Sequence, residues 1–170
     1  GTLYLAFVRS NNSTANANGR NAATILSNIS VPNNFFAGTD PNALRYYHIW
    51  QVSADYRLSP EVRYPVFLED CALAVRWAGA QAAALGASRE RLFIVGHSAG
   101  AYNAAMLALD PRWLGREPIA GWAGLAGPYD FLPIGNPDVR IAFEWPGTPA
   151  DSQPLFHALA HAAPERRALL

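Results

Sequence analysis

Residues 2–8, 46–54, 91–95 and 119–125 are short, largely apolar stretches rich in β-branched and aromatic side chains. Runs of this kind predict strands buried on both faces, as in a parallel sheet. Between them the period changes. Leu68, Cys71, Ala72, Val75 and Ala78 recur at helical spacing in a segment that opens at Pro65 and extends to about Leu85, with Gly86 as its stop signal. Glu69 and Asp70 fall in its first turns and are expected to complement the helix N-terminus. Ala22, Ile25, Leu26 and Ile29 mark one face of a shorter helix, and residues 101–110 are Ala- and Leu-rich up to Asp110-Pro111. Residues 154–163 can form a last helix carrying His157 and His161. Residues 10–19 and 31–42 read as loops, and 131–154 as a long irregular segment of the sort that forms binding or lid loops, with Phe131, Phe143 and Trp145 along it. Strands alternating with helices predict an α/β fold, with a partial parallel sheet of about four strands flanked by helices and joined by right-handed crossovers.

The transition from the third predicted strand to its helix carries the most chemistry. It reads Gly96-His97-Ser98-Ala99-Gly100. A bare G-x-S-x-G arises by chance in roughly one chain in twenty of this length at ordinary glycine frequency, but its strand-then-helix context is what gives the pattern meaning. A turn this tight leaves no room for a Cβ at Gly96 or Gly100, lifts the Ser98 hydroxyl above the sheet edge at the positive end of a helix, and aims the Ala99 N–H where an oxyanion would form. His97, the preceding residue, is expected to point the other way and pack beneath the sheet.

Composition narrows the rest. An apolar share of 51% and a charged share of 15% describe an ordinary globular chain. All 13 basic residues are Arg, so neither a Walker-type phosphate loop nor a Schiff base is available. Formal net charge is zero with no basic cluster, which argues against nucleic-acid binding. Cys71 has no partner for a disulfide and reads as a small buried hydrophobe. No stretch is long enough to span a bilayer and none resembles a secretion signal, so a cytoplasmic location is expected and the acceptor patterns at Asn12 and Asn28 are taken as coincidence.

Several segments together resemble the α/β-hydrolase superfamily in its carboxylesterase and hormone-sensitive-lipase-like branch: Asp55-Tyr56-Arg57-Leu58-Ser59-Pro60-Glu61, Tyr64-Pro65 with Glu69-Asp70 and Arg76-Trp77, the Ser98 elbow, and Leu125-Ala126-Gly127-Pro128-Tyr129-Asp130. The resemblance is best over 46–160 and diverges over 1–45, within a single partial domain spanning 1–170. It implies a serine-dependent carboxylic ester hydrolase with a small-molecule substrate, no cofactor and no metal, acting through an acyl-enzyme on Ser98 with Ala99 N–H in the oxyanion hole. An aryl formamidase-like activity, or a non-catalytic relative that keeps the elbow as scaffold, are the alternatives. Where the family carries a His-Gly-Gly type loop, this chain has Arg9-Ser10-Asn11-Asn12.

The family's acid and histidine follow two further strands, so both are expected beyond Leu170 and turnover by these residues alone is expected to be impaired. Within the chain, Asp130 is the candidate acid or, by preference, an anchor fixing its own loop. His157 is the candidate base or, by preference, a surface or helix-packing residue. Asp55 reads as a strand-end anchor, His48 belongs to no motif, Trp122 is placed in the core, and Phe143 and Trp145 either line an acyl pocket or cover the sheet.

Overall fold

The computed structural model describes residues 2–7, 49–54 and 56–161. The predicted helix at 22–29, the loops at 10–19 and 31–42, His48 and Asp55 lie outside the described residues. Four parallel strands, β1 (Thr2–Phe7), β2 (Ile49–Ala54), β3 (Leu92–His97) and β4 (Gly121–Leu125), form one sheet in the order β2-β1-β3-β4. Leu5 sits opposite Val52 on one side and Ile94 on the other, which makes β1 central. Leu3, Leu5 and Phe7 of β1 are buried together with Leu92 and Ile94 of β3.

Helix α1 (Val66–Gln81) carries the chain from β2 over β1 to β3, and α2 (Ala99–Leu109) carries it on to β4. Both crossovers step the same way along the sheet, so right-handedness puts α1 and α2 on one face. All five apolar positions that the periodicity assigned to α1 are buried, Cys71 among them, and α2 buries Ala101, Ala104, Ala105 and Met106. α1 is shorter than its pattern suggested. Past Gln81 the chain winds through tight turns, with Leu85 N–H donating to the Gln81 carbonyl, and reverses at Gly86 with φ +73° to reach β3.

Asp70 is not a free charge at a helix end. It is 3% exposed and accepts three hydrogen bonds from Arg57: from the backbone N–H at 3.1 Å, Nε at 2.9 Å and Nη2 at 2.7 Å. A carboxylate this buried needs such a partner, and the bonds tie the chain after β2 to the second turn of α1. The same hydrogen bonding raises the Arg57 pKa above its usual value. Glu69, one residue earlier, is exposed and does stand in the first turn.

Two further expectations are corrected. Trp122 is 37% exposed, because β4 is the edge of the described sheet; its ring meets Tyr129 edge-on at 6.3 Å. The segment 131–154 is more ordered than its Pro and Gly content suggested. After the single turn α3 (Pro111–Leu114) and β4, it forms helix α4 (Pro137–Phe143), capped by Asn136 Oδ1, which accepts from the N–H groups of Asp138 and Val139. Phe143 fastens α4 down, with its ring centroid 5.0 Å from Phe131, 5.4 Å from Tyr102 and 5.6 Å from both Tyr64 and Phe67. Helix α5 (Pro154–His161) completes the described chain.

Replacing Asp70 by Ala strands the Arg57 guanidinium and is expected to lower the unfolding free energy by about 3 kcal/mol in urea denaturation; a loss below about 1 kcal/mol would show that the pair does not hold these elements together.

Candidate active site

Ser98 stands between β3 and α2 with φ 54° and ψ −118°, a backbone conformation costly to any residue with a side chain. Its backbone is pinned on both sides. The N–H donates to the Leu125 carbonyl at 2.9 Å, and the carbonyl accepts from Ala101 N–H at 3.0 Å and Tyr102 N–H at 3.2 Å. Its side chain makes no capping bond, and the residue is exposed. The flanking glycines are a matter of space. A Cβ on Gly96 would run into the backbone of Gly100, and one on Gly100 into the Phe7 carbonyl of β1. The elbow is therefore wedged against the central strand.

The N–H groups of Ala99 and Gly100, the first two of α2, have no acceptor within the helix and mark its positive end. Ala99 is exposed and lies at the lip of a cavity of about 340 Å³. Tyr102 and Asn103 of α2, Phe67 of α1, Phe131 and Phe143 line it; Trp145 packs against the core but does not reach it. Of the two aromatic residues considered for a pocket, Phe143 belongs to it. Nothing in the sequence pattern had singled out Tyr102, Asn103 or Ile134, and only Asn136-Pro137-Asp138, a cap followed by proline and an acidic residue, signalled the helix that closes the cavity.

The other candidate residues fall elsewhere. His97 is exposed rather than packed beneath the sheet, since it lies at the end of β3 beside Leu125 of the edge strand, itself 60% exposed. Asp130 is exposed, and among the described residues its carboxylate accepts no hydrogen bond. Its loop is held instead by Gln153, whose Oε1 accepts from Phe131 N–H at 2.9 Å, and by Leu155 N–H donating to the Tyr129 carbonyl at 3.0 Å.

His157 does not approach Ser98. Its Nε2 donates to the Asp151 carbonyl at 2.7 Å and lies 3.6 Å from Asp110 Oδ2, at the far end of α2. Asp110 lies twelve positions beyond Ser98, across the whole of α2, about 18 Å of rise. Asp110 anchors that end: its carboxylate caps α3 through Arg112 N–H and pairs with the Arg112 guanidinium, which also reaches Asp151 Oδ2 at 2.8 Å. Burial pushes the Asp110 carboxyl up, and the Arg112 hydrogen bonds outweigh it and hold its pKa below the ordinary value of 3.8. Among the described residues no cluster of three metal-ligating side chains occurs, and no helix is long and apolar enough to cross a membrane.

The sequence profile described as the alpha/beta hydrolase fold matches residues 43–151. The chain belongs to the α/β-hydrolase fold family. Carboxylesterase NlhH of Mycobacterium tuberculosis is 43% identical over 68 residues, which make up 40% of this chain and 21% of that protein. Among solved structures, the carboxylesterase EstE1 from a metagenomic library aligns with a TM-score of 0.52 at 21% identity, over 80% of this chain and 41% of that one. Esterase 2 of Thermogutta terrifontis gives 0.56 at 17% identity, over 92% and 55%. Likeness at these identities shows the hydrolase fold, and the chain spans about half of these proteins or less.

In an α/β-hydrolase elbow built this way, Gly100→Ala is expected to cost several kcal/mol and to drop the melting temperature sharply; an unchanged melting temperature would mean that β1 does not press on the turn. The depressed Asp110 pKa carries a sign. Its contribution to stability is present above the unfolded value near 3.8 and is lost as pH falls through the lower folded value. Thermal melts from pH 7 to pH 2 should therefore show an acid loss that Asp110→Asn reduces; the same pH dependence in the variant would contradict the assignment.

Proposed function

We propose that this α/β-hydrolase is a serine-dependent carboxylic ester hydrolase, with Ser98 as nucleophile and the Ala99 N–H as one oxyanion donor. The observation that carries the reading is the strained backbone at Ser98. A non-Gly residue held at φ 54° with its hydroxyl exposed at a helix N-terminus, beside an apolar cavity, is an arrangement that a plain structural turn does not need. The hydroxyl would attack the ester carbonyl and release the alcohol, the Ala99 N–H would stabilise the tetrahedral oxyanion, and water would then free the acid from the acyl-enzyme. The esterase names of the relatives support the same reaction class.

Activation of Ser98 needs an imidazole other than His97 or His157, and the acid is assigned to neither Asp130 nor Asp110. The reading accordingly keeps both partners outside the described residues, and an uncharged small-molecule ester as substrate. An amide-cleaving, formamidase-like variant would use the same nucleophile and differs in the acyl group alone.

In the full-length protein, hydrolysis of p-nitrophenyl butyrate is expected to fall at least about 100-fold in Ser98→Ala, with the fold retained by circular dichroism; equal rates in the two full-length proteins would remove Ser98 from the chemistry and leave the elbow as scaffold.

A further inference from the structure

One face of α2 leads from the elbow into the cavity. Ala99, Tyr102 and Asn103 fall at i, i+3 and i+4 along it, and all three line the cavity. Phe67, Phe131, Ile134 and Phe143 line it as well, so the walls are overwhelmingly apolar. The two charged residues in the wall are already placed: the Arg57 guanidinium is held by Asp70, and Asp138 is exposed in the first turn of α4.

Asn103 is the exception. It is 2% exposed, yet its amide uses little of its hydrogen-bonding capacity. Nδ2 donates to Cys71 Sγ at 3.4 Å, a weak acceptor on a thiol that burial keeps protonated. Oδ1, at the other end of the planar amide, accepts no hydrogen bond among the described residues. Trp113 Nε1 is the side-chain atom sealed in without a partner among the described residues; Asn103 Oδ1 is not sealed in this way, and its residue lines the cavity. An acceptor left open in an apolar wall selects an occupant that brings the missing donor.

We infer that Asn103 Oδ1 reads a hydroxyl on the acyl chain of the ester, an inference that rests on the nucleophile reading above. Asn103 lies five positions beyond Ser98, about 7.5 Å along the helix. An extended carbon chain covers that distance in roughly six bonds. The substrate class is therefore an ester of a medium-length ω-hydroxy acid: the carbonyl at the Ala99 lip, an apolar stem against Phe131 and Phe143, and the terminal hydroxyl donating to Asn103.

Ser98→Ala protein titrated by NMR with hexanamide and ω-hydroxyhexanamide tests this without turnover. The hydroxyl compound is expected to bind about tenfold more tightly, and Asn103→Leu, of similar volume, to bring the ratio to about one. Equal binding of the two amides, or a preference that survives Asn103→Leu, overturns the assignment; if the Leu variant does not fold, the first comparison decides alone. Unmutated protein assayed on the matching p-nitrophenyl esters separates the two readings. A tenfold binding preference with no hydrolysis keeps the recognition site and removes the hydrolase; hydrolysis of both esters at equal kcat/KM with equal amide binding keeps the hydrolase and removes the recognition site.

Discussion

The close approach of the Gly100 backbone to the Phe7 carbonyl is the constraint on which the rest of this structure depends. It lets the N-terminal turn of α2 lie against the central strand with no side chain between them. Gly96 in turn leaves room for the Gly100 backbone, and the two absences fold β3 into α2 within one residue. That residue is Ser98, and its strained dihedrals follow from the path the chain must take. The hydrogen bond from Ser98 N–H to Leu125 makes the neighbouring strand part of the same turn, so sheet, helix and hydroxyl are fixed as one unit.

From this wedge the site extends along α2 in two directions. At its start are the free N–H groups, the hydroxyl and the mouth of the cavity. At its end, Asp110 gathers Arg112, Asp151 and His157 into a polar cluster that fixes α3 and α5. Tyr102 links the two regions: its ring packs on Phe131 and Phe143, and its hydroxyl donates to the Ser152 carbonyl just ahead of α5. Burial there raises the Tyr102 pKa far above the usual phenol value, so this donor is retained across the whole accessible pH range. The cavity is thus walled by elements that are themselves anchored.

What was legible in the sequence was local. The elbow could be read because a strand, five residues and a helix contain all its determinants, and the buried face of α1 because Leu68 to Ala78 repeat within one element. What was not legible depends on contacts between distant segments. Asp70 looks like a helix-end charge until Arg57 is placed beside it; Trp122 looks like core until β4 proves to be the edge of the described sheet. His157 shows the same thing from the other side, since its spacing says nothing of the 18 Å or so of helix that separates it from Ser98. The Asn136 cap is local by contrast, and the Pro and Gly around it mask its signal.

The central claim is that the strained hydroxyl at the elbow accepts an acyl or phosphonyl group. Incubation with a fluorophosphonate, followed by proteolysis and peptide mass mapping, tests it most directly. The account predicts a single adduct, on Ser98; an unlabelled Ser98 peptide, or an adduct on another residue, would contradict it.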